Sequence, residues 1–503
     1  MHSNCLLITP HKQKERKMVG QREAEQPIIP SVLLLPLPLQ GPINCFLKLA
    51  HLLSLSSDHL NITFLNAEFV HQRLLDLPSR FPHVKFSQFS DGISGDEPRT
   101  PAKFPAMVGF LQAEISRRLP EFMESPAPAT CLIADGVFTS VGERANELGI
   151  PVVYFSTLSP CCVWASCFLV PKLVDYGELP FKKGMDLDEP VSDIPGAADT
   201  SLRWCDLPGI CRTYDMTDPY VQLVLKEFRE LPNAQGHILN TFDDLEEPLL
   251  SELRLLCPNL YTIGPIHLHS RTRQQLESEQ RITSNSLWQE DRSCIAWLDA
   301  QPSGSVIYVS FGSVVPLTMD QLTEFWYGLV NSGTRFLWVR RSGMVVEMEE
   351  SEEISLQVPT EILEGTRDRG FIVKWAPQEE VLAHRAVGGF LTHSGWNSTL
   401  ESIVEGVPML CWPNGIDQLV ISRFVGDVWK IGIDMKDICD RGVIEHMVID
   451  LMKGRKDEFS RRANRLSKLA GEAVREGGSS WRALHRLIED IKFMRLEVPK
   501  DKF

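Results

Sequence analysis

The segment that most constrains the fold is GGFLTHSGWNSTLESIVEGVPMLCW, at residues 388–412. Its first six residues predict a short buried strand that follows a pair of glycines. SGWN predicts a tight turn in which Asn397 or Ser398 can cap the helix predicted for STLESIVE. Gly406 ends that helix, Pro408 prevents its continuation, and MLCW predicts the next strand. This order is typical of a parallel α/β sheet, and a helix N-terminus at the turn is suited to binding an anion.

Strands and helices alternate in the same way along the rest of the chain. In the first half, SVLLLPLPL, NITFLNAE, VKFSQF, TCLIADG and VVYFST predict strands, with amphipathic helices between several of them. In the second half, SVIYVSFGS, RFLWVRR and FIVKW restart the pattern. Because 503 residues exceed one ordinary core, more than one α/β domain is expected.

The domain limits follow from where this alternation begins and stops. We predict an N-terminal α/β domain, a polar linker without a hydrophobic period, a C-terminal α/β domain and a last helix. The residues before the first strand are mostly polar and are predicted to be a disordered extension, with Met18 as a plausible alternative start. The limits, in chain order with the extension first, are 1–27, 28–265, 266–290, 291–475 and 476–497.

Composition excludes several kinds of partner. A net charge of −15 argues against nucleic acids and anionic membranes, which both favour basic surfaces. The apolar run at residues 28–39 is too short and too rich in proline to span a membrane. The 12 cysteines are scattered without metal-site spacing, which favours reduced thiols and a cytoplasmic protein without a bound metal.

Residues 375–418 resemble the plant secondary-product glycosyltransferase signature of family-1 UDP-glycosyltransferases, with Ser394 at a position that is often cysteine. The resemblance implies a GT-B fold, in which two Rossmann-like doubly wound domains face a cleft and the last helix crosses back to the first domain. It implies inverting sugar transfer from a UDP-sugar to a small hydrophobic acceptor, such as a terpenoid, iridoid or phenolic, by a monomer without a cofactor. Gln418 together with Trp396 resembles members that use UDP-glucose.

The resemblance also assigns roles in the donor site. Trp375 stacks on the uracil, although without the family a core tryptophan is the simpler interpretation; Gln378 and the backbone of Ala376 bind the base or the ribose. Glu401 accepts hydrogen bonds from the ribose hydroxyls. The remaining donor residues contact the diphosphate or the sugar: Thr157, Ser313, His393, Trp396, Asn397, Ser398, Asp417 and Gln418.

The acceptor side departs from the family pattern. The family usually has G-H-x-x-P after the first strand, with the histidine as general base, whereas this chain has Gly41-Pro42-Ile43-Asn44-Cys45. Proline cannot relay a proton, so the acceptor is acidic enough to need no strong base, or Asp135 acts directly or through a water. Without the family, a solvated loop carboxylate or a helix N-cap is the simpler interpretation of Asp135, and the resemblance reverses that preference.

Asn44 is also placed on the acceptor side, and Phe138, Phe155 and Trp164 are predicted to line the acceptor pocket. A second hypothesis follows from Pro42: a protein that binds UDP-sugar but has lost transferase activity and serves as a binding protein or scaffold.

Overall fold

The computed structural model describes residues 29–56, 60–74, 76–93, 103–191, 202–213, 215–277, 286–341, 343–344 and 360–494. The predicted extension at residues 1–27 lies outside these ranges. No helix in the described ranges is long and apolar enough to cross a membrane.

Two parallel sheets organise the described residues, as predicted for an α/β chain. The strands of the first sheet are β1 Ser31–Leu35, β2 Asn61–Ala67, β3 Val84–Phe89, β4 Cys131–Asp135, β5 Val152–Ser156, β6 Gly236–Leu239 and β7 Leu260–Thr262. Those of the second sheet are β8 Val306–Ser310, β9 Arg335–Val339, β10 Gly370–Val373, β11 Val387–Thr392, β12 Met409–Cys411 and β13 Gly432–Asp434.

Helices connect these strands within the described ranges. In the first half they are Gln40–Ser56, Glu68–Arg73, Leu77–Arg80, Phe104–Met123, Thr139–Glu147, Pro160–Trp164, Val170–Asp175, Pro219–Glu230, Asp243–Leu256 and Ile266–Glu277. In the second half they are Ser293–Asp299, Met319–Asn331, Thr360–Arg369, Gln378–Leu382, Trp396–Val404, Gln418–Arg423, Arg441–Ile449, Lys456–Val474 and Ser479–Phe493.

The order of the strands places two ligand crevices in the molecule. The first sheet has the order β3-β2-β1-β4-β5-β6-β7 and the second β10-β9-β8-β11-β12-β13. The chain therefore reverses direction across the sheet between β1 and β4, and again between β8 and β11. Such switch points open a crevice at the carboxyl ends of the strands, which is where open α/β sheets bind ligands.

The helix Ile266–Glu277 corrects one prediction. Residues 266–290 were predicted to be a polar linker without a hydrophobic period, but the first part of this range is a helix that buries His267, His269 and Ser270. Buried histidine and serine side chains do not form an apolar periodic pattern, so the sequence does not predict this helix. Residues 278–285 lie outside the described ranges.

The last described helix, Ser479–Phe493, packs on the first sheet. Tyr261 in β7 donates a hydrogen bond to Asp490 at 2.7 Å, and the guanidinium of Arg486 lies 4.6 Å from the centre of the Tyr261 ring. The C-terminal helix therefore contacts the N-terminal sheet directly.

Candidate active site

One cavity of about 1110 Å³ lies where the two sheets face each other. Its wall includes the residues that follow β1 and β4 in the first sheet and β8 and β11 in the second. Fifteen of the eighteen predicted site residues line it: Pro42, Asn44, Asp135, Thr157, Ser313, Trp375, Ala376, Gln378, His393, Trp396, Asn397, Ser398, Glu401, Asp417 and Gln418. The two switch points thus open into a single space.

A helix N-terminus opens into this cavity after β11. Helix Trp396–Val404 starts from Gly395 in an extended conformation, and no side chain caps it. The prediction that Asn397 or Ser398 caps this helix is therefore wrong, because the helix begins before both residues. Its first backbone N–H groups are left to bind an anion such as a phosphate.

His393 lies between two glycines at this helix N-terminus. A Cβ built on Gly312 or on Gly395 would come within 2.5 Å of His393 Nε2, so both positions need glycine for the ring to fit. Gly312 also has φ of 73°, a conformation that glycine adopts readily. Burial lowers the pKa of His393 to about 4, so the imidazole is neutral at pH 7. A neutral ring contributes a hydrogen bond there, without a full positive charge.

The Asn397 side chain connects the two domains. Its Nδ2 donates to the backbone oxygen of Gly41 at 3.1 Å, and its Oδ1 accepts from the Cys45 thiol at 3.0 Å. The side chain is therefore engaged with the turn after β1, while the backbone of Asn397 remains part of the helix N-terminus.

Gln378 organises the region predicted to bind the ribose. Its Nε2 donates to Ser398 Oγ at 2.9 Å and to Glu401 Oε2 at 2.7 Å, and its Oε1 accepts from the Tyr308 hydroxyl at 3.3 Å. Burial and the nearby Glu379 raise the pKa of Glu401. These side chains are positioned by one another before any ligand enters.

Trp375 presents a flat wall of the cavity. Its ring lies 5.9 Å from that of Trp288, and its backbone oxygen accepts from Asp291 N at 2.9 Å. Arg73, from the N-terminal domain, lies 4.6 Å from the centre of the Trp288 ring. The indole of Trp375 is partly exposed, as a stacking platform for a base would be.

Asp417 and Gln418 lie together in the wall of the cavity. Gln418 Oε1 accepts from Asn414 N at 2.9 Å and from Gly415 N at 3.3 Å, so its amide nitrogen is the group left to donate into the cavity. Burial raises the pKa of Asp417 to about 7. This pair can offer a donor and an acceptor to sugar hydroxyls. Trp396, nearby, lines the cavity while its indole N–H donates to Asn240 O at 2.9 Å.

Asp135 lies at the end of β4 and lines the cavity. Its Oδ2 accepts from the Thr157 hydroxyl at 3.2 Å and its Oδ1 from Val137 N at 3.3 Å. Burial raises the pKa of Asp135 to about 7, against these hydrogen bonds. Pro42 lines the same cavity from the first turn of helix Gln40–Ser56. The Asp135 carboxyl group is thus buried and weakly acidic, and position 42 provides no histidine between it and an acceptor.

The predicted apolar lining is wrong for three residues. Phe138, Phe155 and Trp164 are all at most 1 % exposed and belong to the core of the N-terminal domain. Phe138 immediately precedes helix Thr139–Glu147 and turns inward. The apolar wall is formed instead mainly by two helices and the turn after Asp135, through Phe104, Met107, Val137, Leu223, Phe228 and Leu231.

An ion pair across the cleft was missed from the sequence. Lys48, on helix Gln40–Ser56, pairs with Glu379, on helix Gln378–Leu382, and both line the cavity. A lysine inside the apolar run CFLKLAHLL was a visible signal, but its partner lies 331 positions away. Among the described residues, no cluster of histidine, cysteine or carboxylate groups could hold a metal ion.

Two Rossmann-like domains whose switch points share one cavity, with a helix N-terminus suited to a phosphate and a partly exposed tryptophan in the wall, have the architecture of the GT-B type and are suited to nucleotide-dependent transfer. Residues 279–461 match the family described as "UDP-glucoronosyl and UDP-glucosyl transferase". The chain belongs to this family and is a UDP-glycosyltransferase.

Relatives match nearly the whole chain. The "7-deoxyloganetic acid glucosyl transferase" of Catharanthus roseus is 49% identical over 490 residues, which cover 94% of this chain and 99% of that protein. The "Myricetin 3-O-rhamnoside 1,2-glucosyltransferase UGT709G2" of Crocosmia x crocosmiiflora is 39% identical over 92% of this chain and 96% of that protein. The crystal structure of Os79 from O. sativa in complex with UDP superposes with a TM-score of 0.75 at 30% identity, over 92% of this chain and 100% of that one.

Proposed function

We propose that this protein transfers glucose from UDP-glucose, with inversion, to a hydroxyl or carboxyl group of a small plant specialised metabolite, and that iridoids are the first acceptors to test. The relative that is 49% identical over 94% of the chain is a glucosyltransferase for an iridoid acid by its name. Gln418 and Asp417 at the end of the donor half are suited to glucose hydroxyls, and the helix N-terminus at Gly395 is suited to the leaving diphosphate.

Asp135 carries the mechanistic part of the proposal. In transfer to a hydroxyl, the acceptor oxygen forms a bond to the anomeric carbon, the bond from that carbon to the UDP oxygen breaks, and UDP leaves. The acceptor proton goes to the Asp135 carboxylate, directly or through a water. A carboxyl group with a pKa of about 7 is a stronger base than an ordinary aspartate and is largely ionised in mildly alkaline solution.

The same arrangement predicts which acceptors react fastest. A hemiacetal or phenol loses its proton more easily than a simple alcohol, and a carboxylate has none to lose. With a carboxylate base and Pro42 in place of histidine, we expect these acceptors to react faster than simple alcohols.

The test is UDP release from UDP-glucose with three acceptors: 7-deoxyloganetic acid, an aromatic carboxylic acid and a simple terpene alcohol. Asp135→Asn should lower kcat/KM for hydroxyl acceptors by about 10²- to 10⁴-fold, which is the usual contribution of a general base. Transfer to the carboxylate should be spared, and the exposed Asp244→Asn variant should match the unsubstituted enzyme. Loss of carboxylate transfer as well would contradict the assigned role of Asp135.

Pro42 favours one competing function, a UDP-sugar-binding protein without transferase activity. Both functions need the donor half of the cavity, so UDP binding does not separate them. Measurable UDP affinity together with no UDP release for any acceptor in a mixed panel of terpenoids, iridoids and phenolics would favour the binding protein over the transferase.

A further inference from the structure

Residues 203–212 of the N-terminal domain lie against the C-terminal domain, and we refer to them as the brace. The brace holds two short 3-10 turns, Trp204–Asp206 and Gly209–Arg212. At its centre, Gly209 N donates to Ile416 O at 2.9 Å, and a Cβ on Gly209 would lie 2.6 Å from Ile416 N. The brace therefore touches the backbone immediately before Asp417.

Ile416 is in an unfavourable conformation at this contact. Its φ is 54°, in the left-handed region that β-branched residues avoid, and its side chain is exposed at the cavity wall. Because the Ile416 side chain is exposed, packing of that side chain in the core does not explain the backbone conformation. A strained backbone of this kind persists where surrounding contacts impose it, and the Gly209 hydrogen bond is such a contact.

Asp206 anchors the brace by a cluster of charges. Its side chain is fully buried and lies 2.7 Å from Lys436 Nζ, 3.0 Å from Arg203 Nε and 3.5 Å from Arg423 Nε. Asp434 adds a second carboxylate, 3.1 Å from Lys436. Lys436 and Arg423 belong to the C-terminal domain, so the cluster joins the two domains.

The same cations hold the helix that begins at Gln418. Lys436 Nζ donates to Leu419 O at 3.1 Å and to Ser422 Oγ at 3.0 Å, both in helix Gln418–Arg423. Arg423 is the last residue of that helix. The loop before the helix is thus bound to Gly209. The helix itself is bound to Asp206, through Lys436 along its length and through Arg423 at its end.

We infer that the brace, through Asp206 and Gly209, positions Asp417 and Gln418 for recognition of the donor sugar. The acceptor domain then sets how well the C-terminal domain binds the sugar part of its donor. The inference rests on the proposed function, in which Asp417 and Gln418 contact that sugar. It assigns no role to the brace in binding uridine or diphosphate, whose predicted contacts at Trp375, Gln378 and His393 lie outside the brace contacts described above.

Gly209→Ala is the direct test, because the added methyl group meets the Ile416 backbone. The KM for UDP-glucose should rise about tenfold relative to the inhibition constant of UDP, as expected for one or two lost hydrogen bonds to the sugar. Gly109→Ala is the matched control, since its Cβ would meet nothing within 4 Å. A Gly209→Ala enzyme with an unchanged ratio would overturn the inference.

Asp206→Asn tests the charge cluster independently. It should also raise the KM for UDP-glucose relative to the inhibition constant of UDP, whereas Asp175→Asn, in an exposed pair with Arg229, should not. A lower melting temperature with an unchanged ratio would mean that Asp206 only stabilises the fold, against the inference. Failure of the proposed function is seen separately, as an unsubstituted enzyme that binds UDP but releases no UDP from UDP-glucose with any acceptor.

Discussion

At the scale of single residues, Asp135 is a buried carboxyl group that must be ionised to act as the proposed base. It is 4 % exposed, and burial raises its pKa to about 7. An ionised carboxylate buried in such a place destabilises the folded chain, while the same burial makes it a better base. Its position at the end of β4 was predicted from the strand pattern, but its burial was not, because burial depends on the walls of the assembled cavity.

Replacing Asp135 should therefore stabilise the protein in a pH-dependent way. Between the ordinary aspartate pKa and about pH 7, the folded chain holds a proton that the unfolded chain has lost, so stability from this group falls as the pH rises. Asp135→Asn removes the effect. Its melting temperature should exceed that of the unsubstituted protein at pH 8 and should match it at pH 4. At pH 8 the free energy of unfolding should be higher by up to about 3 kcal/mol.

Thermal unfolding followed by circular dichroism at both pH values measures this gain. The exposed Asp244→Asn variant should show no difference at either pH. Equal melting temperatures of Asp135→Asn and the unsubstituted protein at pH 8 would contradict the burial argument.

At the scale of elements, the helix Trp396–Val404 could be predicted almost completely, and the helix Ile266–Glu277 could not. The first has the apolar spacing and flanking glycine and proline that mark a helix in sequence. The second buries His267, His269 and Ser270 against other elements, so its buried side carries no apolar pattern. The start of the first helix was misplaced because its cap is the backbone of Gly395.

The glycine before that helix gives a prediction at this scale. In Gly395→Ala, the new methyl group would lie 2.5 Å from His393 Nε2, so the ring must move away from the helix N-terminus. We expect UDP affinity, measured by calorimetry, to fall about tenfold, as for loss of one well-placed hydrogen bond to a charged group. Gly471→Ala, whose Cβ would meet nothing within 4 Å, is the control and should bind UDP normally. Unchanged UDP affinity in Gly395→Ala would separate His393 from the phosphate site.

At the scale of the whole molecule, the pattern of parallel strands predicts more than one α/β domain and a crevice at the edge of each sheet, whereas the shared cleft was expected only from the family resemblance. The contacts across the cleft do not follow. The Lys48–Glu379, Asn397–Gly41 and Gly209–Ile416 contacts each join residues far apart in the chain, and no local pattern pairs them. The relative position of the two domains therefore depends on contacts that form only in the folded protein.

The Lys48–Glu379 pair gives the prediction for this scale. Lys48→Met removes the cation from a largely buried position and leaves Glu379 without its partner across the cleft. We expect a loss of about 1–3 kcal/mol in the free energy of unfolding, measured with urea. Lys182→Met breaks an exposed pair with Glu178 and should cost less than about 0.5 kcal/mol. Equal effects of the two variants would show that the pair across the cleft does not stabilise the assembled domains.

The packing of helix Ser479–Phe493 on β7 has a consequence for synthesis. Tyr261 and Asp490 are hydrogen-bonded although 229 positions separate them. While the ribosome is still making the second domain, the strand at the border of the first sheet lacks the helix Ser479–Phe493 that packs on it. The first domain therefore gains its full set of contacts only after the second has been translated, even if most of its sheet folds earlier.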